Sequence, residues 1–188
     1  MATKMKKVAI ICMLCCISTV SFAQDYYSGG YGSLQLRYGE ANGQGYIWLG
    51  GYGGWLIAGK LLLGAGGAGA FGEIEIISNG NVDKYEIGYS GFVSEYRLSL
   101  SPKWKLVPGF LIGGGRLEKE LEEGLSLSSS FFVVEPHLQA ELEVLSWMHI
   151  TSGIFYRHIG KHNLPNVTED YSLNGLSYGI GIKLGYFQ

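Results

Sequence analysis

Hydrophobic and polar residues alternate along the stretch from Phe132 to Val144. One row of alternate positions is apolar, and the other carries the polar residues Glu135, His137, Gln139, Glu141 and Glu143. A period of two predicts a β-strand with two chemically different faces. A typical globular strand has about 5–6 residues, whereas about 9–11 tilted residues cross a bilayer as one strand of a barrel. The length of this stretch therefore favours a membrane-inserted β-barrel.

Eight alternating segments follow one another along the chain. An even number of strands places both ends of the chain on the same side of a membrane. The connections after the second, fourth and sixth segments are short, whereas three of the four after odd segments are longer and polar, as in barrels with short periplasmic turns. The predicted fold class is all-β, an eight-stranded antiparallel up-and-down transmembrane β-barrel. The predicted strands are 31–38, 45–57, 61–77, 84–100, 104–117, 131–144, 147–158 and 173–187.

Several local features refine these strands. The pair Asn42-Gly43 predicts a tight turn, because both residues tolerate a positive φ. Pro108 cannot donate a ladder hydrogen bond and predicts a bulge in the fifth strand. The acidic and serine-rich segment 118–130 predicts a loop, with a possible helix over 118–123. Neither row of the second strand is clearly polar, so its facing stays open.

The first 23 residues have the three parts of a secretory signal peptide. Lys4, Lys6 and Lys7 precede an apolar stretch from Val8 to Val20, and Ser21-Phe22-Ala23 supplies small residues for cleavage after Ala23. The apolar stretch is shorter than the roughly 20 residues of a spanning helix. We therefore expect residues 1–23 to be removed and residues 24–188 to form one barrel domain in the outer membrane of a Gram-negative cell envelope.

Removal of that leader would change the composition of the chain. All three cysteines lie in it, so the remaining 165 residues have no disulfide chemistry. Three lysines also leave, which makes the net charge −5 and gives no sign of nucleic-acid binding. All 30 glycines remain, more than twice the usual share of about 7%. Glycine is expected where a small barrel has little room inside or where aromatic rings cover bare backbone.

Charged residues recur on the rows expected to face the barrel interior. An eight-stranded barrel is just wide enough inside for side chains, so opposite charges on neighbouring strands are expected to pair there. The residues predicted to form this interior charge network are Glu95, Arg97, Glu135, Glu141, Glu143, His149 and Arg157. The opposite rows predict lipid-facing residues at Phe132, Val134, Leu138, Leu142, Ile150, Ile154, Tyr156, Ile180, Ile182, Leu184 and Tyr186.

Aromatic residues near strand ends predict the interfacial girdles of a membrane barrel. They are Trp48, Trp55, Trp104, Trp147 and Tyr186.

Candidate catalytic and cofactor chemistry is weak throughout. Alternation places Ser152 and His149 on opposite faces, and His158 lies six residues from Ser152, too far for a hydrogen bond along a strand. Residues 50–54 form a glycine cluster without the lysine and helix of a phosphate loop. His158 and His162 are not spaced for a metal on a strand. We expect no catalytic residue, no cofactor and no metal.

The leader, the eight alternating segments and the C-terminal GIGIKLGYF from Gly179 together resemble the OmpA/OmpX-like class of small eight-stranded outer-membrane β-barrels. The segments Gly50–Trp55 and Phe131–Pro136 and the pair Tyr156-Arg157 are similar to uncharacterised members of this class. The resemblance implies contact with outer-membrane lipid. It also implies recognition of the C-terminal strand by the outer-membrane assembly machinery, although Gln188 follows the final aromatic residue.

The sequence thus favours an outer-membrane barrel with a side-chain-filled interior and a structural or surface-interaction role through its outer loops. No surface partner is indicated. Two alternatives stay open. One is a soluble periplasmic β-barrel that binds a small apolar ligand, and the other is a lipid A-modifying enzyme with its site at the barrel rim.

Overall fold

The computed structural model describes residues 28–78, 81–120, 126–160 and 172–187. The expected signal peptide and cleavage site lie outside these residues. No helix in the described part of the chain is long and apolar enough to cross a membrane. The ten strand segments are β1 (Ser28–Ala41), β2 (Gln44–Ile57), β3 (Leu61–Ala70), β4 (Ile74–Ser78), β5 (Asn81–Tyr96), β6 (Leu98–Ser99), β7 (Trp104–Glu120), β8 (Ser126–Leu145), β9 (Met148–Ile159) and β10 (Gly175–Tyr186).

The strands close into an antiparallel barrel in which neighbours in the chain are neighbours in the sheet. β1 pairs with β2 and also with β10, where Leu34 lies opposite Ile182, so the first and last strands complete the ring. β6 continues β5, because both pair with β7 in the same register on either side of Arg97. β4 follows β3 but pairs only with β5. The eight-stranded up-and-down antiparallel barrel predicted from the alternation is confirmed.

The two ends of the barrel differ in their connections. At one end, here called the turn end, lie the short connections 58–60, 100–103 and 146–147. The opposite end is here called the loop end. It contains the Asn42-Gly43 turn and the end of the β7–β8 ladder at Glu120 and Ser126. Both turn residues have positive φ, 50° and 75°, as predicted for this pair.

The third predicted strand is interrupted near the loop end. Residues 71–73 separate β3 from β4, and Gly72 has a φ of +94°, which glycine adopts without strain. Beyond this break the side chain of Asn42 donates to the carbonyl of Glu75, and the backbone N–H of Glu75 donates to the hydroxyl of Tyr46. Side-chain hydrogen bonds thus replace the β2 ladder at this point.

Two local predictions are wrong. The segment predicted as a loop over 118–130 is largely strand. β7 runs to Glu120, β8 begins at Ser126, and these two residues form the last pair of the β7–β8 ladder. Residues 121–123 of the possible helix lie outside the described residues, and residues 118–120 belong to β7. Pro108 produces no bulge, since its pairing with Leu138 keeps the register of the whole β7–β8 ladder. The register shift instead lies between β8 and β9, at Glu143/Leu145.

Side chains alternate between the barrel interior and its outer face along the paired strands. On β1, Leu34 is 63% exposed whereas the adjacent Gln35 is 2% exposed. The facing of β2, which the sequence left open, places Trp48, Tyr52 and Leu56 inside. Buried apolar residues concentrate toward the loop end, where the interior contains Ile74, Ile76, Ile87, Leu117 and Leu173.

Candidate functional site

The interior near the turn end is organised around Lys183 on β10. Its ammonium lies 2.9 Å from Oε2 of Glu95 and 3.1 Å from Oε2 of Glu141. All three side chains are fully buried. The hydroxyl of Tyr31 lies 3.3 Å from the same ammonium. One cation is therefore shared by two carboxylates and is shielded from solvent.

Glu95 accepts hydrogen bonds from several directions. Tyr52 donates through its hydroxyl at 2.6 Å, the amide of Gln139 donates at 2.7 Å, and Tyr31 donates through its hydroxyl. His137 Nε2 lies 3.0 Å from Oε1 of Glu95. A buried carboxylate is costly unless it is paired and hydrogen-bonded, and this one is both.

Glu141 joins this cluster to the turn end of the barrel. Its Oε1 lies 2.6 Å from the guanidinium of Arg97 and 2.6 Å from Nδ1 of His149. The ring of Phe187 stacks on His149 with a centroid separation of 3.8 Å, and the Arg97 guanidinium lies 4.9 Å from the same ring. The C-terminal aromatic residue thus folds inward, beneath the charge cluster.

A second charged layer lies closer to the loop end. Arg37 Nη1 contacts Oε1 of Glu135 at 2.7 Å, and the hydroxyl of Tyr89 donates to the same carboxylate. Arg37 also donates to Gln35, whose amide in turn donates to Gln139 at 3.2 Å. The two glutamines link the two layers through a continuous set of hydrogen bonds.

Arg157 forms no ion pair with a carboxylate among the described residues, although opposite charges on neighbouring strands were expected to pair. Within the described residues its guanidinium donates to the carbonyl oxygens of Leu173, at 2.9 Å, and Glu40, at 2.6 Å. It stacks over the Trp48 ring at 3.7 Å. Glu135, one of the inward carboxylates on the neighbouring strand, binds Arg37. Arg157 therefore connects the backbone of β1 to the segment before β10 at the loop end.

Of the seven predicted network residues, Glu95, Arg97, Glu135, Glu141, His149 and Arg157 are buried inside the barrel. Glu143 lies at the turn-end rim with its side chain 37% exposed, 3.1 Å from Lys105. The prediction missed the residues that connect the set. Strand alternation places Lys183 and Arg37 on inward rows, but it cannot show that the strands carrying them face Glu95 and Glu135 across the barrel. The missed residues are Tyr31, Gln35, Arg37, Tyr52, Tyr89, His137, Gln139 and Lys183.

All eleven residues predicted to face lipid lie on the outer face of the barrel, each exposed or partly exposed. Trp48, predicted for an aromatic girdle, is instead 1% exposed and lies inside. Ser152 faces outward while His149 is buried inside, so the barrel wall separates these two candidates for catalysis. His158, the other histidine considered, faces outward like Ser152 but lies six residues farther along β9.

Three buried polar atoms have no hydrogen-bond partner among the described residues: Oγ of Ser33, Nδ1 of His137 and Nε2 of His149. Each histidine uses its other ring nitrogen for a carboxylate. No group of three or more metal-ligating side chains occurs in the described part of the chain. The interior arrangement is suited to holding strands together through ion pairs.

Comparisons with known proteins agree with this architecture. No protein-family model and no curated protein matches the sequence. Among solved structures, Neisserial surface protein A superposes with a TM-score of 0.64 at 12% identity, covering 84% of this chain and 96% of that chain. OprG from Pseudomonas aeruginosa gives 0.57 at 9% identity, covering 86% and 96%. Ail from Yersinia pestis gives 0.53 at 10% identity, covering 85% and 97%. The chain therefore has the fold of the small eight-stranded outer-membrane β-barrels.

Proposed function

We propose that this protein is an outer-membrane β-barrel whose interior is filled by its own side chains and whose loop end serves a structural or surface-interaction role. In this arrangement the turn end faces the periplasm and the loop end faces the cell exterior, because outer-membrane barrels have short periplasmic turns. The outward residues, including Leu138 and Ile154, contact outer-membrane lipid.

The inverted distribution of side chains carries this proposal. On β10 the apolar Ile180 is 64% exposed, while the charged Lys183 on the opposite face is fully buried. Soluble proteins rarely bury charged residues completely or expose large continuous apolar surfaces. In a bilayer the outward apolar side chains contact lipid instead of water, and the buried charged side chains are stabilised by their ion pairs with one another.

The same distribution argues against a soluble ligand-binding barrel. A cavity for an apolar ligand would need an apolar interior. Here the positions where such a ligand would lie are occupied by the hydrogen-bonded groups of Lys183, Glu95 and Gln139.

Membrane fractionation combined with gel migration before and after boiling tests the proposal. We expect the protein in the outer-membrane fraction and a faster unboiled band, because a closed barrel stays folded in detergent. A tagged soluble periplasmic protein is the fractionation control. Release with the periplasmic proteins, with no band shift, would overturn the membrane assignment.

A further inference from the structure

A two-stranded hairpin covers the barrel interior at the loop end. It consists of residues 74–78 of β4 and 81–85 of β5, which pair with each other, and it is here called the cap hairpin. Its inward side chains are at most 4% exposed and belong to the buried apolar cluster of the interior, as do Ile87 and Leu117 of the wall. These inward side chains are Ile74, Ile76 and Tyr85. The cap hairpin therefore covers apolar residues inside the barrel.

Both strands of the cap hairpin leave the barrel wall where the hairpin begins. On the β4 side, the N–H of Phe71 donates to the carbonyl of Ile47 at 2.7 Å, and in the described part of the chain β4 forms no ladder with β2 beyond this bond. On the β5 side, the ladder with β7 ends at the pair Glu86 and Glu118, although β7 itself continues to Glu120. The cap hairpin is therefore not part of the continuous hydrogen-bonded wall.

The connection between β3 and β4 has the properties of a hinge. Residues 71–73 belong to no strand, and Gly72 among them has a φ of +94°. Glycine adopts this conformation without strain and has more backbone freedom than any other residue. A Cβ at Gly72 would meet nothing within 4 Å, so the surroundings leave room for rotation. Residues 71–73 therefore allow the cap hairpin to change its angle to the wall.

Side chains replace the missing ladders and hold the cap hairpin down. On one side Asn42 donates to the carbonyl of Glu75 at 3.2 Å, and the N–H of Glu75 donates to the hydroxyl of Tyr46 at 3.0 Å. On the other side the ammonium of Lys119 lies 2.7 Å from Oδ1 of Asp83, and these two side chains are 24% and 26% exposed. These three contacts are here called the latches. Single hydrogen bonds and solvent-exposed ion pairs each contribute little, so the latches hold the hairpin less firmly than the ladders hold the wall.

We propose that the cap hairpin is a lid that opens as one unit about Gly72 while the eight-stranded wall stays closed. Opening breaks the two hydrogen bonds to Glu75 and the ion pair of Lys119, but it keeps the pairing between the two strands of the hairpin. It uncovers the apolar residues Ile87 and Leu117 at the mouth of the barrel. The position of this mouth at the cell exterior rests on the membrane orientation proposed above.

Cysteine labelling of the folded barrel in detergent micelles tests the lid. Without the leader the chain has no cysteine, so each variant carries a single thiol. The reagent is a polyethylene glycol maleimide, which is too large to enter the closed interior. Ile76→Cys places the thiol beneath the cap hairpin, whereas Leu62→Cys places it on β3 between two continuous ladders, and both native side chains are 0% exposed.

The two variants should differ in their labelling rates. We expect Ile76→Cys to react at least about tenfold faster than Leu62→Cys, because opening of the lid needs less free energy than opening of a strand that is paired on both sides. The band shift of each variant is measured first, so that only folded barrels are compared. Equally slow labelling of the two variants would overturn the proposal.

Removing the latches should speed the labelling of Ile76→Cys. Asn42→Gly keeps the positive φ of the turn and, combined with Tyr46→Phe, removes both hydrogen bonds to Glu75. We expect labelling to become about tenfold faster or more. Lys105→Gln, which removes an ion pair at the turn end, is the control and should leave the rate unchanged. An unchanged rate after loss of both hydrogen bonds would contradict the lid.

Hydrogen exchange of the wild-type barrel distinguishes opening as a unit from unravelling of β4. A ladder joins β4 to β5 within the cap hairpin, and a lid that moves as one body keeps this ladder when it opens. We therefore expect the opening constant from exchange of the ladder amides to be at least about tenfold smaller than the constant from thiol labelling. Equal constants would show that β4 detaches from β5, and they would overturn opening as one unit.

Labelling in intact cells separates the lid from the membrane orientation. The reagent is too large to pass outer-membrane porins, so Ile76→Cys reacts in intact cells only if the loop end faces the cell exterior. Labelling of the purified barrel without labelling in cells would contradict that orientation and leave the lid supported. Absence of labelling in both would overturn the lid.

Discussion

The ammonium of Lys183 lies 2.9 Å from Glu95 across the barrel interior. Lys183 is on β10 and Glu95 is on β5, four positions away in the eight-membered ring and therefore on the opposite side. The contact with Glu141 on β8 adds a third strand. One buried cation thus connects parts of the wall that share no backbone hydrogen bonds.

Replacing Lys183 with Met should therefore destabilise the barrel strongly. The substitution keeps much of the side-chain volume but leaves two buried carboxylates without their shared cation, at a cost of about 3–5 kcal/mol in the free energy of unfolding. Urea unfolding in phospholipid vesicles, followed by tryptophan fluorescence, measures the change.

Lys105→Met is the matched control for that experiment. Lys105 pairs with Glu143 at 3.1 Å, but the Glu143 side chain is 37% exposed at the barrel rim. An exposed pair contributes about 0–1 kcal/mol. Similar losses from the two lysine substitutions would contradict the central position assigned to Lys183.

Much of this fold could be predicted because side chains alternate between the barrel interior and the outer face along each paired strand. Alternation identified the rows of β8, β9 and β10 and the strand number. It was less informative at residues 118–130, where serine and glutamate suggested a loop. The strands extend there because the β7–β8 ladder continues to Glu120 and Ser126, and sequence patterns do not show how far a hairpin continues beyond the apolar band.

The interior contacts were harder to predict than the strands. Glu141 and His149 lie on neighbouring strands, where opposite charges were expected to pair. Arg37 and Glu135 lie on strands that do not pair with each other, so their contact depends on how the ring closes. Phe187 lies on the same alternate row as Lys183, so its inward direction agrees with the predicted strand 173–187. Its stacking on His149 of β9 could not be predicted from alternation.

Leu138→Arg tests which face of β8 contacts lipid. Leu138 points outward on β8, away from the buried Gln139. If it lies near the membrane midplane, an arginine there should reduce the free energy of unfolding by about 2–4 kcal/mol. Val144→Arg, outward on the same strand but near the turn end, should cost about 0–1 kcal/mol. The same unfolding assay in vesicles compares the two variants. Equal losses of unfolding free energy would contradict a position of Leu138 near the midplane and of Val144 near the turn-end interface.

Planar-bilayer recording tests the filled interior. We expect no measurable ion conductance from the wild-type barrel, because an eight-stranded barrel leaves room only for side chains. The charged layer around Arg37 and the charged cluster around Lys183 occupy that space. A sixteen-stranded porin reconstituted in the same way is the positive control. Stable conductance steps from the pure protein would contradict a side-chain-filled interior.

The two C-terminal aromatic residues should have different roles. Tyr186 points outward and is 55% exposed, whereas Phe187 stacks on His149 and, at 5.1 Å, on Tyr31. Phe187→Ala should therefore lower the free energy of unfolding by about 1–3 kcal/mol, since aromatic contacts contribute about 0.5–1.5 kcal/mol each beyond area burial. Tyr186→Ala should reduce the free energy of unfolding less than Phe187→Ala does, but it should slow insertion by the outer-membrane assembly machinery, if the machinery binds the outward row of β10. Urea unfolding and the rate of band-shift appearance in membranes containing that machinery measure the two effects. Slower assembly in Phe187→Ala alone would show that the machinery instead reads the residue that ends up inside the barrel.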